Sequence, residues 1–289
     1  MYKNLFKFIF NNKFGLKSVL NYDASCIGNS SGVNLNSREV PIVVSISYDN
    51  KDEIFDDLEL SLYSLLNQTV CPDKIILWLS DKYKLTDLPY EITRYIKNGL
   101  EIKFCDNLNP YTKLLKAIKD NKNSIIVTAE TNIFYPKNWL AKLYHSYISN
   151  PQDVHANRVH KLDIIDNNIT PFKNWEQYYK KEQANYNYFP DNTGGILFPP
   201  KCFVSDIFRK DLYDKYVPDN YDIWVWLMSV ISGRKIRLVK SHIKRFIVLD
   251  FLNRLKKTLE YNDIDNRISE LMKYYGQNVT QKFKQDDII

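Results

Sequence analysis

The chain has 289 residues, 44% hydrophobic and 14% aromatic with only 8 Gly, which supplies a full core and excludes collagenous, low-complexity and linker-rich architectures. Its net charge of +6 is modest and not gathered into long basic blocks, and no RNP-like, zinc-finger or helix-turn-helix signature is present. Nucleic acid is therefore not expected as a partner, while an anionic ligand or an anionic membrane surface is compatible with the charge.

Cys26, Cys71, Cys105 and Cys202 stand apart with no CxxC pair, the pattern of reduced thiols in a cytoplasmic setting rather than of a disulfide framework or zinc site. No run of 18 apolar residues exists to span a bilayer, and the short apolar stretch 5–10 lacks the flanks of a secretory signal. Tyr2, Leu5, Phe8, Ile9, Leu16, Val19 and Leu20 fall on one helical face, with Lys3, Lys7, Lys13 and Lys17 on the other. Such an amphipathic arm over residues 1–20 suits either a peripheral contact with the inner membrane face or docking on protein. Residues 21–40, rich in Ser, Asn and Gly, read as a linker.

The regular pattern begins at Pro41. Residues 42–47 form an apolar strand; 52–67 form a helix in which Ile54, Phe55, Leu58, Leu62, Leu65 and Leu66 recur at helical spacing; and 74–79 form a second buried strand ending at Ser80-Asp81. A short helix over 89–97, closed by Asn98-Gly99, leads to a third strand over 100–104 ending at Cys105-Asp106. The next helix, 111–119, feeds a central strand, Ile125 to Val127, a β-branched run of the kind buried on both faces. Glu130, Thr131 and Asn132 follow it directly, and Pro136 suits the first turn of a helix over 137–149. This alternation predicts right-handed crossovers and an α/β fold, a mainly parallel sheet with helices on both faces.

Beyond Pro151 the pattern loosens. A single strand is expected over 155–162, an aromatic and charged stretch over 175–187, and a turn from Asn192 through Gly194-Gly195 into a short strand stopped by Pro199-Pro200. A helix over 219–232 ends at Gly233, a late strand covers 235–239, and an amphipathic helix covers 264–275.

Ligands of open α/β sheets bind at the carboxyl ends of the strands, so Glu130, Thr131 and Asn132 face the crevice. Asp81, Asp106 and Glu130 end three of the strands and are candidates to converge there on the ribose and base of a nucleotide. His155 and His160, five apart on one expected strand, point to opposite faces and make no two-His metal site. Gly194-Gly195 lacks the spacing of a phosphate loop. Trp224 and Trp226 cannot share one helical face, so at least one belongs to the core.

Several collinear segments carry a resemblance: the strand 41–48, Ser64-Leu-Leu-Asn-Gln68, the strand 74–81, the stretch 128–135 with Asn138-Trp139-Leu140, Gly194-Gly195 with Pro199-Pro200, and Asp222-Ile-Trp-Val-Trp226. Together they resemble bacterial GT-A type glycosyltransferases related to family 2, which build capsule and lipopolysaccharide sugars. The resemblance implies a GT-A-like, Rossmann-like domain over 41–289 behind an arm and linker over 1–40. Its nucleotide-sugar half would span about 41–150 and its acceptor half about 151–289. It implies a nucleotide-sugar donor, a glycan or lipid-linked glycan acceptor, and donor contacts at Ser47, Tyr48, Asp81, Asp106, Tyr111, Lys113, Glu130, Thr131, Asn132, Arg158 and His160. Gly194, Gly195, Trp224 and Asp263 would meet the acceptor, and Asp222 would be the general base of an inverting transfer. The family's central strand ends in an acidic DxD-like triplet that holds Mn²⁺ or Mg²⁺, whereas this chain has Glu130-Thr131-Asn132, leaving Glu130 and Asn132 as the oxygen ligands for a divalent cation. A catalytically degenerate protein that binds nucleotide-sugar or glycan, or organises a biosynthetic complex, is the alternative from another class.

Overall fold

The structure, a computed structural model, describes residues 31–49, 55–106, 108–166, 168–239, 247–248 and 263–286. The amphipathic arm, most of the linker, Cys26 and the residues just before Asp263 lie outside them.

The first part of the chain alternates as its apolar runs predict. β1 (Ile42–Ser47) leads to α1 (Asp56–Leu66), β2 (Lys74–Ser80) to α2 (Tyr90–Thr93), β3 (Leu100–Cys105) to α3 (Thr112–Asp120), and β4 (Ile125–Thr128) through the two-residue β5 (Ile133–Phe134) to α4 (Trp139–Ser149). Gly99 closes the turns after α2 at φ +101°, a left-handed conformation that a side chain would strain. The helix after Pro136 starts at Trp139, whose N–H donates to Pro136 O at 2.9 Å in a preceding turn.

The second part holds short strands: β6 (Val154–Ala156), β7 (Val159–Lys161), β8 (Ile164–Ile165), β9 (Asn168–Ile169), β10 (Ala184–Asn185), β11 (Tyr188–Pro190) and β12 (Ile196–Phe198). Then follow α5 (Lys210–Tyr216), α6 (Tyr221–Ile231), β13 (Ile236–Leu238), β14 (Ile247–Val248) and α7 (Ile264–Asp286). The single strand expected over 155–162 is two, since the chain leaves the main sheet after Ala156 and β7 pairs instead with β11. His155 and His160 therefore lie in different sheets. The last helix runs well past Tyr275, burying Ile264, Ile268, Leu271, Tyr275, Val279 and Phe283 along one side.

Among the described residues the main sheet has eight strands in the order β10-β13-β6-β12-β4-β1-β2-β3. β3, β2, β1 and β4 are mutually parallel and β13 is parallel to β6, while β12 runs antiparallel between β4 and β6. This is a mixed α/β fold with a mainly parallel sheet and helices on both faces. Successive residues of each strand point to opposite faces. Val43, Ile76, Trp78, Ile126, Ile196 and Phe198 join a core shared with α3, α6 and α7, and Ile42, Val44, Ile75, Leu77, Val127 and Leu197 join one shared with α1 and α4. Among the described residues no helix is long and apolar enough to cross a membrane.

The stretch Ser64 to Gln68 holds the loop beyond β4 in place. Ser64 Oγ accepts from the Tyr135 N–H at 3.0 Å, and the Gln68 amide donates to Pro136 O at 3.0 Å while accepting from the Leu140 N–H at 3.0 Å. Gln68→Leu would take this acceptor from the buried Leu140 N–H, and it is expected to lower unfolding free energy by about 2 kcal/mol in urea titration. A change near zero would mean that α4 docks without this clamp.

Candidate active site at the carboxyl end of the central strand

The backbone at Glu130 is pinned before its side chain is considered. Its carbonyl accepts from Ser61 Oγ of α1 at 2.9 Å, and its N–H donates to the Tyr135 hydroxyl at 2.8 Å. Burial keeps that phenol protonated, pushing its pKa well above the ordinary tyrosine range. Opposite stands Lys113, the second residue of α3, which is docked on β1 because Ser45 Oγ donates to the Lys113 carbonyl at 2.5 Å and accepts from Trp78 Nε1 at 2.9 Å.

Lys113 Nζ lies 2.6 Å from Glu130 Oε1, with its side chain 6% exposed against 23% for Glu130. The same oxygen accepts from Asn192 Nδ2. Thr128 Oγ1 donates to Asn192 Oδ1 at 3.3 Å and accepts from the Tyr221 hydroxyl at 3.4 Å. The ring of Tyr221 lies beneath the Lys113 ammonium, 4.9 Å from Nζ to its centroid. Five residues from α3, β4, the loop after it, the turn before β12 and the start of α6 thus close a polar ring at the carboxyl end of the central strand.

Beside this ring, Arg158 forms a second buried ion pair, Nε to Asp191 Oδ2 at 3.2 Å, and donates to Thr193 Oγ1 at 2.6 Å. Its guanidinium lies 4.7 Å from the centroid of Tyr178, a bulky residue held at φ +54°. Gly194 and Gly195 are closely approached by protein: a Cβ on Gly195, at φ +78°, would lie 2.5 Å from Trp139 Cζ2, and one on Gly194 would lie 2.8 Å from Arg158 Cγ. Trp139 Nε1 donates to the Gly194 carbonyl at 2.8 Å, tying this turn to α4.

Several expected site residues are elsewhere or otherwise engaged. Trp224 and Trp226 are both buried, their indole N–H groups donating to Ile207 O and Tyr186 O, so Trp224 presents no face to an acceptor. His160, expected as a donor contact, is enclosed by Phe172, Tyr178 and Phe189, and burial lowers its pKa, which favours the neutral imidazole. Tyr111 is a core pillar, its hydroxyl bonded to Val217 O and its ring 4.3 Å from that of Tyr213. Asp263 is exposed and pairs with Arg267 at 2.6 Å.

The three strand-end carboxylates do not meet at a point. β4 is separated from β2 and β3 by two and three strand spacings, placing Asp81 and Asp106 about 10 and 14 Å from Glu130 along the sheet edge. Asp81 is exposed and Asp106 lies 3.5 Å from Lys116. Ser47 and Tyr48 end β1, between them, and are half-buried, as are Thr131, Asn132 and Asp222. Asp222 is the second residue of α6, next to Tyr221. Asn192, Asp191 and Thr193 are central here yet were not expected, although their turn carried a signal in its Gly194-Gly195.

A divalent cation does not fit these residues. The single carboxylate of the triplet already receives an ammonium and an amide on one oxygen, and among the described residues no group of three or more His, Cys, Asp or Glu side chains could hold a metal ion.

No family model and no curated protein sequence matches the chain. Solved structures with a similar chain path include the inositol-1-phosphate CTP transferase from T. maritima, at TM-score 0.41 and 11% identity, covering 71% of this chain and 86% of that one. Another is S. aureus TarS 1-349, at TM-score 0.44 and 13% identity, covering 72% of this chain and 59% of that one. The chain spans under two thirds of the TarS structure.

Breaking a buried ion pair strands a charge, whereas removing both partners does not. Lys113→Met is expected to destabilise by about 3 kcal/mol, and the double variant Lys113→Met with Glu130→Gln to recover most of that loss, both read from urea midpoints. Equal losses in the two variants would show that the pair contributes only packing. His155 supplies a pH dependence. Burial pushes its pKa down to about 4, its ring bonded to Ser146 Oγ at 2.8 Å and to Asn150 O at 3.1 Å. The unfolded chain binds the proton first, so stability is full above about pH 6.5 and falls by about 3 kcal/mol as pH drops towards 4. His155→Gln is expected to flatten that slope in denaturation curves run across the interval.

Proposed function

We propose that the chain transfers a sugar from a nucleotide-activated donor to a cell-surface glycan acceptor of the capsule, lipopolysaccharide or lipooligosaccharide kind. The observation that carries this reading is the polar ring at the carboxyl end of β4, where open α/β sheets bind ligands. The edge running from Glu130 past Tyr48 to Asp81 and Asp106 has the length of a nucleotide, with acceptors for a ribose and base. In this reading Asp222 takes the proton of the acceptor hydroxyl while its oxygen bonds to the anomeric carbon, and the bond to the nucleotide diphosphate breaks on the opposite side, inverting the centre. The resemblance of Asp222-Ile-Trp-Val-Trp226 supports that role, as does its position one residue from Tyr221, which joins the polar ring.

A second reading, a binding protein without turnover, is favoured by one observation: Lys113 and Arg158, the buried cations of this region, are both held by carboxylates of the chain itself. A screen of UDP-, GDP-, CMP- and dTDP-sugars by thermal shift and release of free nucleotide separates the two. A transferase is expected to release nucleotide from one donor, and Asp222→Asn to slow that release about a hundredfold or more with the thermal shift retained. A thermal shift with no release from the unaltered protein would leave the binding reading in its place.

A further inference from the structure

Glu130 stands where the resemblance calls for a divalent cation, and its carboxylate already touches a cation, the Lys113 ammonium at 2.6 Å. An acidic triplet sets a dication against two or three carboxylates. Here Thr131 and Asn132 carry no charge, so one carboxylate faces one monocation and the site is balanced with fewer acids. We propose that Lys113 takes the place of the divalent cation at Glu130, so that a nucleoside diphosphate binds this crevice without metal. The proposal rests on reading the crevice as a nucleotide-sugar site.

Four contacts make the ammonium a fixture. The Lys113 backbone is held to β1 by Ser45, its Nζ lies over the Tyr221 ring, that ring's hydroxyl is tied through Thr128 to Asn192, and Asn192 bonds the oxygen that Lys113 bonds. A hard cation seeking Glu130 Oε1 must displace an ammonium and an amide, both on buried side chains, and meets the like charge of the Lys113 ammonium at that oxygen. Removing Lys113 should therefore uncover a latent metal site, most visibly when a second carboxylate is restored by Asn132→Asp.

The test measures Mn²⁺ binding by electron paramagnetic resonance on the full chain without nucleotide, and nucleoside diphosphate affinity by calorimetry in EDTA and in Mn²⁺. The forms compared are the unaltered protein, Asn132→Asp, and Asn132→Asp with Lys113→Met. Lys113→Gln, which keeps a donor towards Glu130 without the charge, serves if the Met variant does not fold. The expected result is no Mn²⁺ bound by the unaltered protein, equal nucleotide affinity in both buffers, and Mn²⁺ bound roughly tenfold or more tightly once Lys113 is removed from the Asn132→Asp background. Equal Mn²⁺ affinity in the two Asn132→Asp forms would overturn the proposal. So would a tightening of nucleotide binding by Mn²⁺ in the unaltered protein that Glu130→Gln abolishes. Absence of nucleotide binding by every form would sink the nucleotide-sugar reading, while the Mn²⁺ comparison would still decide the role of Lys113.

Discussion

A lysine whose side chain is almost wholly removed from water must find a counter-charge, and the cost of failing to do so is several kcal/mol. Lys113 meets that constraint through Glu130, and the rest of the site follows from it. Glu130 is aimed at the ammonium because α1 and Tyr135 hold its backbone from two sides. Asn192 is drawn in to occupy the same oxygen, which brings the turn before β12 against the end of β4, and Trp139 braces the two glycines that follow. The second ion pair, Arg158 with Asp191, is anchored in that turn. One electrostatic requirement thus binds together side chains from both halves of the chain.

The chemistry available at such a place is set by how its charges are already engaged. An unpaired acidic triplet attracts a metal ion; a carboxylate neutralised from within leaves a crevice nearly neutral at its centre, edged by Asp81 and Asp106 towards β3 and by Asp222 at the start of α6. Buried His160 adds no charge, since its aromatic surroundings favour the neutral ring. Among the described residues, the acidic side chains along this edge are carboxylates, with no charged imidazole beside them.

Much of the fold was legible in the sequence, and the reasons are particular. Ile42 to Ser47, Lys74 to Leu79 and Ile125 to Val127 are continuous apolar runs between polar boundaries, and strands buried on both faces need that pattern. Gly99 and Gly233 marked helix ends, and both have positive φ. The break between β6 and β7 carried no such mark, because Asn157 and Arg158 are neither turn-forming glycine nor proline and their departure from the sheet depends on partners far along the chain. At the site, Glu130 and Lys113 were each visible as residues, but their mutual contact was not: it joins a helix and a loop through tertiary packing alone. Trp224 resembled a sugar platform only because an indole reads the same whether it faces solvent or core.

The pairing of β14 with β5 brings Ile247 and Val248 alongside Phe134 and Ile133, just past Glu130, Thr131 and Asn132. Tyr221 likewise reaches back to Thr128 across 93 positions, and Asn192 to Glu130 across 62. Such distant closures are entropically slow to form and are absent from any shorter chain. During synthesis from the N-terminus, β1 to β4 can pair as a sheet while Glu130 and Lys113 still lack their outer partners. The site is thus completed after its scaffold, and a ribosome that stops before α6 would leave Thr128 without Tyr221 and one face of the sheet without α6 and α7, which pack on it.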